Sequence, residues 1–484
     1  MDRVTEAGLY ASIAIAVIAF GGASAPFFLI PQLIVSGLAV CLLIVSLKKP
    51  LFHVRLPFVV PLLLITLVLL QIFPFPNLIL SFLGYSQADV SPPFHPVLSI
   101  APYETVSQLL LLVTYLAAFY LVLFVCEDRN ARRRFVYALI AIGTFEALYG
   151  LMQYLTGWQQ IFSFVKKYYL QDATGTYINR NHFAGLLEMT LPLVVAMAFR
   201  QAQHMRHKCK REKSLARDVL SGKELPAFVF LLFLAALLFT ALIFSRSRMG
   251  LFSSVVSLIV ILAFASEFAL SARSRIHLGA VFILSVAGIA AWVGIAPVLA
   301  RFETTGNEYA QTGWNRISVW RDTGQLIREH PYLGTGLGTF SEAYPSVQTA
   351  YLSLFVDHAH SDYLEIASDI GLPGAILLFG SIFWILGHAI RRCGKLKDSL
   401  DSALSLGSAG SIVAILVHSI ADFNLHIPAN ALMFTVLLAL AMSVTRETKL
   451  PRNQTDPVSA QRQYVAAPDF NGVPSIEKTS NGRA

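Results

Sequence analysis

Apolar stretches of about twenty residues recur along this chain, and that recurrence restricts its fold more than any other feature of the sequence. The core of a bilayer offers no water to backbone N–H and C=O groups, so a spanning segment must satisfy them within a helix or a closed barrel. The runs here are continuous rather than alternating, which excludes a barrel. Only 14% of the 484 residues are charged, against about 25% in a soluble protein. The sequence therefore predicts an all-α polytopic membrane protein. About twelve spans are expected, at 7–24, 28–47, 56–74, 105–126, 135–156, 183–200, 226–244, 249–267, 277–297, 366–389, 403–419 and 428–445. The first run lacks a strongly basic start and reads as a first span rather than a cleaved signal.

Lys and Arg are retained on the cytoplasmic side of a membrane. With the N-terminus inside, the inner segments include "LKKPLFHVR", "EDRNARRR", the basic stretch 200–223, "SARSR" and "RRCGKLK". The net charge of +8 is then mostly topological and gives no support to nucleic-acid binding. Cys41 and Cys126 fall in spans or at their inner ends, and Cys209 and Cys393 in inner loops, so no structural disulfide is expected. Residues 1–447 read as one membrane domain. Residues 448–484, polar and rich in Pro, Asn and Ser, read as a disordered cytoplasmic tail.

One outer loop, 298–365, is long enough to imply a function. Its "GWNRISVWRDTGQLIREHP" predicts a helix capped by Asn315 and ended at His330-Pro331. Ile317, Trp320, Gly324 and Ile327 would share the face laid on the membrane surface. The following "GTGLGTF" is open to two readings, a phosphate-cradling loop or a re-entry turn. No clear strand precedes it, which favours the turn.

Four polar clusters fall on the outer side. In "DHAHSDYLEIASDIGLPG", Asp362 and Glu365 have the spacing of a helix cap, which puts His360 just outside a helix N-terminus. His358 and His360 can serve proton transfer or simply hydrogen-bond the backbone at the interface. "FSRSRMG" sets Arg246 and Arg248 in a short outer hairpin against the positive-inside trend. They either reach lipid headgroups or bind an anion, for which the guanidinium fork is suited. "TYINRNHFAG" holds Asn179, Arg180, Asn181 and His182, and "HSIADFNLHIPAN" spaces His418, Asp422 and His426 by four. Each of these can order a loop or line a site. His358-x-His360 with Asp357 is a poor metal site by itself, because zinc needs three or four ligands in one place.

Arginines for a lipid-borne anion together with a proton acceptor suit transfer of a sugar from a lipid diphosphate to a hydroxyl. The motifs resemble those of the O-antigen ligase family, which includes O-antigen and exopolysaccharide polymerases. The resemblance rests on "SRMG" at Ser247–Gly250, on Arg316 and Trp320 in "NRISVW", and on "AHSDYLEIASDIGLPG". "NRNHFAG", "GTGLGTF" and "ADFNLHIPAN" extend it over about 140–445. Ser361 stands where the family usually has Asn, and Arg246 is an extra arginine. The resemblance implies a GT-C-like, all-helical membrane glycosyltransferase with an undecaprenyl-diphosphate-linked glycan donor. It also implies inverting transfer outside the inner membrane without metal or cofactor. Arg248 and Arg316 would hold the diphosphate, and His360 would activate the acceptor hydroxyl. Arg246, Arg180, Asn181, His358, Trp320 and Asp422 would surround the substrate. The acceptor could be a lipid A core sugar, as in a ligase, a lipid-linked repeat, as in a polymerase, or a protein. A lipid transporter or flippase is the alternative of another class, but it calls for two related halves, and none is visible in the sequence.

This topology is testable with single introduced cysteines and an impermeant maleimide on spheroplasts. Positions 248, 316 and 360 are expected to label from outside, and Cys209 and Cys393 to be protected. Protection at 316 or 360 would refute the arrangement.

Overall fold

Segments that are apolar on all sides become helices buried in lipid or in one another. The computed structural model describes residues 2–48, 57–76, 97–212, 224–264, 280, 316–349, 355–393, 396 and 399–445. Its main helices, numbered in chain order, are α1 (Asp2–Ile18), α2 (Ala25–Lys48), α3 (Val59–Ile72), α4 (Pro102–Val125), α5 (Arg129–Thr156), α6 (Arg180–Glu212), α7 (Glu224–Ser245), α8 (Arg248–Phe264), α9 (Arg316–Glu329), α10 (Asp362–Cys393), α11 (Ser399–His418) and α12 (Pro428–Thr445). Seven of them, α2, α4, α5, α6, α7, α10 and α11, are long and apolar enough to cross a membrane, and α3, α8 and α12 are shorter apolar helices. The chain is a multi-pass membrane protein. The span expected at 277–297 lies, but for Ala280, outside the described residues, as do Asn315 and the tail at 448–484. Cys41, Cys126 and Cys393 form no disulfide.

Helix α6 is the centre of the bundle, with 94% of its apolar window buried. It packs against α5, α7, α8 and α11. Small residues on α11 permit that approach. A methyl group on Gly407 would meet Leu193 at 3.1 Å, and one on Gly410 would meet Ile261 at 2.7 Å. Ser411 Oγ of α11 donates to the Met189 carbonyl of α6, and Ser257 Oγ of α8 to the Gly410 carbonyl. At the end predicted to be cytoplasmic, Arg134 of α5 grips buried Glu6 of α1 at 2.6 Å, and Arg132 pairs with Asp401 of α11 at 3.1 Å.

Helix α10 is broken. Gly371 has φ 70° and ψ 169°, and Pro373 follows. Proline has no N–H to return to the Asp369 carbonyl one turn back. That carbonyl instead accepts from Gly336 N at 3.0 Å and Gln71 Nε2 at 2.7 Å. Leu372 N turns to the Pro331 carbonyl, and the Ser368 carbonyl takes Thr335 N. Leu337 N donates to Gln71 Oε1 and Gly338 N to Asp369 Oδ2. The "GTGLGTF" amides are therefore spent on locking the break, and none is left to cradle phosphate. The segment is a turn.

The described part of the outer loop has a small core of its own, which includes Val319, Leu326, Phe340, Tyr344 and Val356. Here one expectation is overturned. Helix α9 buries Val319, Asp322, Thr323 and Leu326, whereas Ile317 of the predicted face is exposed. The physical reason is Asp322, which accepts from Tyr344 Oη at 3.1 Å and from Thr349 N and Oγ1 at 3.1 and 2.7 Å. These bonds turn the carboxylate inward and rotate the apolar stripe with it. A short antiparallel hairpin, β1 (Gln160–Ile161) and β2 (Phe164–Val165), stands between α5 and α6.

The lock at the α10 break can be tested at Gly334, which has φ +68° and would drive a methyl group into the Asp369 carbonyl and to 2.6 Å from Gly371 N. Gly334→Ala is expected to cost at least about 1–2 kcal/mol from the left-handed backbone alone. It should lower the unfolding midpoint in detergent. Gly324→Ala, where a methyl group would meet nothing within 4 Å, is the control expected to leave the midpoint unchanged or slightly raised.

Candidate active site

The turn between α11 and α12 carries a buried carboxylate, Asp422, on which four elements converge. Asn179 caps the start of α6 by accepting from Asn181 N, which frees the Asn181 side chain to donate to Asp422 Oδ2 at 2.6 Å. His182 Nε2 lies 4.0 Å from Asp422 Oδ1. His418 Nε2, at the end of α11, lies 3.9 Å from Oδ2. Arg316, the first residue of α9, places Nη2 3.9 Å from Oδ2 and donates through Nη1 to the Ala421 carbonyl. Burial alone would raise the Asp422 carboxyl, but His418, His182 and Arg316 outweigh it and hold it below the ordinary aspartate value.

The next residue, Phe423, organises three histidines. His358 stacks on its ring at 4.0 Å, and His182 and His360 meet it edge-on at 4.8 and 5.0 Å. His360 sits just before α10 with φ 52°, a backbone region a histidine rarely adopts. Burial, reinforced by Arg316 and His358 and opposed by Asp422, pushes its pKa down to about 4. It is therefore neutral at physiological pH and able to accept a proton.

The charged side chains at the start of α10 have the opposite character. Asp362 N is already bonded across to the Ser419 and Asp422 carbonyls. The Asp362 carboxylate does not cap its own helix. It accepts from Ser419 Oγ at 2.6 Å, Leu425 N at 3.2 Å and His426 Nδ1 at 2.8 Å. Only Glu365 reaches back as a cap would, taking Ala359 N at 2.8 Å and His358 Nδ1 at 2.7 Å. Burial works against a charge on His426, but Glu365 and Asp362 overcome it and raise its pKa to about 10. His358, Glu365 and His426 bring three donor atoms within 4.8 Å. This grouping is not the His358-x-His360 pair considered from sequence.

Of the arginines, Arg248 opens α8 and is exposed, within electrostatic reach of Arg316 and Arg180. Arg180 and Arg246 share one partner, Asp172, at 2.7 and 3.1 Å, and Arg180 also lies over the Tyr169 ring at 5.0 Å. Lys166 Nζ donates to the Asp172 carbonyl, and burial draws its pKa down to about 8 against the pull of Asp172. Trp320, one turn along α9 from Arg316, is partly buried and is not among the residues that meet Asp422 or Phe423. The structure thus brings together Arg316, Arg248, Arg180, Asn181, His358, His360 and Asp422.

Sequence reasoning passed over Asp172, Glu188 and Phe423. Glu188 was detectable, because an ionisable residue inside an apolar span is itself a sign of function. Asp172 and Phe423 carry no local signal, since their roles come from partners distant in the chain.

The His426 cluster makes a signed prediction about stability. A histidine whose folded pKa exceeds its unfolded value of about 6.5 contributes stability that is complete below that value and is lost as pH rises through about 10. The unfolding midpoint should therefore fall progressively from neutral pH towards pH 10. His426→Gln should start lower and lose most of that slope.

The family model described as O-antigen ligase matches residues 233–379. The matched region holds Arg246, Arg248, Arg316, Trp320, His358 and His360, and it ends before the Asp422 turn. Among curated proteins, no relative matches the chain. The match supports a role in assembling O-antigen or another surface polysaccharide, within a family of membrane glycosyltransferase-type enzymes that act on lipid-linked glycans.

Proposed function

We propose that this chain, a member of the O-antigen ligase and polymerase family, transfers a glycan from an undecaprenyl-diphosphate-linked donor to a sugar hydroxyl at the periplasmic face of the bacterial inner membrane. The acceptor in this reading is a lipid A core sugar. The observation that carries it is the meeting of Arg316 and Arg248, from helices far apart in the chain, beside neutral His360 and Asp422.

Arg316 and Arg248 would bind the diphosphate, and their fixed forks would strengthen their hold as charge builds on the leaving oxygen. A ring nitrogen of His360 would take the acceptor's proton. The acceptor oxygen bonds to the anomeric carbon as the bond from that carbon to the diphosphate oxygen breaks, and the electron pair leaves with the diphosphate. A single displacement of this kind inverts the anomeric centre. Guanidinium charge at the leaving group makes a metal unnecessary. His360 is a weak base at a pKa of about 4, but the negative diphosphate beside it would raise that value toward neutrality.

The test is donor binding and single-turnover transfer by purified, EDTA-treated protein, with lipid A core, a lipid-linked repeat and a glycosylatable protein offered separately. His360→Ala should lower turnover about 10²–10⁴-fold with donor binding largely intact. Arg248→Lys and Arg316→Lys should weaken both binding and turnover, because Lys cannot form the paired fork. Near-normal transfer by His360→Ala would remove it as the base. Transfer only to the lipid-linked repeat would make the protein a polymerase.

A further inference from the structure

Behind Asp422 lies a line of buried polar groups that the transfer reaction as described does not use. Glu188 sits on α6 about 12 Å along the axis from Arg180, at 1.5 Å per residue, and is fully buried, as is His418 on α11. His418 Nδ1 lies 3.0 Å from both carboxylate oxygens of Glu188. Ser253 Oγ, on α8, donates to the same carboxylate. The other ring nitrogen, Nε2, is buried, has no hydrogen-bond partner among the described residues, and faces Asp422 Oδ2 at 3.9 Å. A carboxylate, an imidazole and a second carboxylate thus stand in line from the interior of the bundle to the edge of the site.

We propose that Glu188 and His418 are positioning residues for the transfer reaction: Glu188 fixes the His418 ring so that Nε2 confronts Asp422, and the pair keeps Asp422 ionised as the counter-charge of Arg316. The inference rests on the glycosyl-transfer reading of the site. Its reasoning is electrostatic. An imidazole with its only proton on Nδ1 would turn a lone pair toward a carboxylate, which is repulsive. An imidazolium between the two carboxylates donates toward both. Paired charges are tolerated in a membrane interior where single ones are not. Several elements put groups around Asp422: Asn181 and His182 from α6, Arg316 from α9, His360 before α10, Tyr169 after the hairpin and His418 from α11. His418 is faced by Glu188 and Asp422 and, electrostatically, by Asp362. Without Glu188 the ring can discharge, and Asp422 then takes up a proton at higher pH and releases Arg316.

Infrared difference spectra between pH 4 and pH 9 read the carboxyl protonation with no substrate present, and Asp422→Asn identifies the band. In the wild type the protonated Asp422 band should be absent above pH 4. In Glu188→Gln it should appear at least one pH unit higher, and single-turnover transfer should fall roughly tenfold or more at pH 6, since one pKa unit is a tenfold change in ionisation. That loss should shrink toward pH 9 and vanish in an Asp422→Asn background. Ser253→Ala, which removes the other partner of Glu188, should titrate as the wild type does. An unshifted band, a pH-independent loss, or equal behaviour of Ser253→Ala and Glu188→Gln would overturn the proposal. If Glu188→Gln does not accumulate, His418→Gln is expected to shift the band in the same way; if neither accumulates, the pair serves folding and the proposal fails. A wild type that titrates as expected but transfers no glycan would sink the transfer reading alone.

Discussion

The Asp362 carboxylate joins two parts of the chain that would otherwise have no reason to stay together. Its own amide bonds across to the α11–α12 turn, and its oxygens collect Ser419, Leu425 and His426 from that turn. The start of α10 and the turn bearing Asp422 are thereby one rigid unit. His360 and Asp422 face the same space only because of this join. Removing one partner from so buried a set leaves charges uncompensated, at a cost of about 3–5 kcal/mol.

That unit depends in turn on the break in α10. Continuous helix through Gly371 would carry the first turns of α10 along the axis of the rest. Pro373 and Gly371 interrupt the ladder, and the outer "GTGLGTF" turn takes over the freed Ser368 and Asp369 carbonyls. The loop and the membrane helix therefore complete each other's hydrogen bonding. Irregular backbone at a membrane boundary is tolerated where protein rather than lipid satisfies it.

The histidines show how environment assigns roles to one residue type. His360, half of a strained turn against Phe423 and close to Arg316, is kept neutral. His426, clasped by Asp362 and Glu365, is kept charged. His418 is held between Glu188 and Asp422 in the bundle interior. A neutral histidine at the mouth and charged ones behind it form a site in which a proton can be taken at one place while the counter-charges elsewhere stay fixed.

The sequence by itself determined the helical membrane class, because long apolar runs have one way to satisfy their backbone in lipid. It also determined which short motifs carry the arginines and histidines, because charges in such a chain are few and conspicuous. The inward face of α9 and the function of Asp362 were misread, and both errors have one cause. Local periodicity and cap spacing describe what a helix can do alone, whereas Asp322 and Asp362 are directed by partners elsewhere in the chain. Only the tertiary structure paired Arg180 with Arg246 through Asp172, gathered three histidines on Phe423 and set Glu188 behind His418. Those contacts follow from how closely α6, α8 and α11 approach. That distance is set by glycines and serines meeting across the bundle, and it becomes apparent only when the helices are side by side.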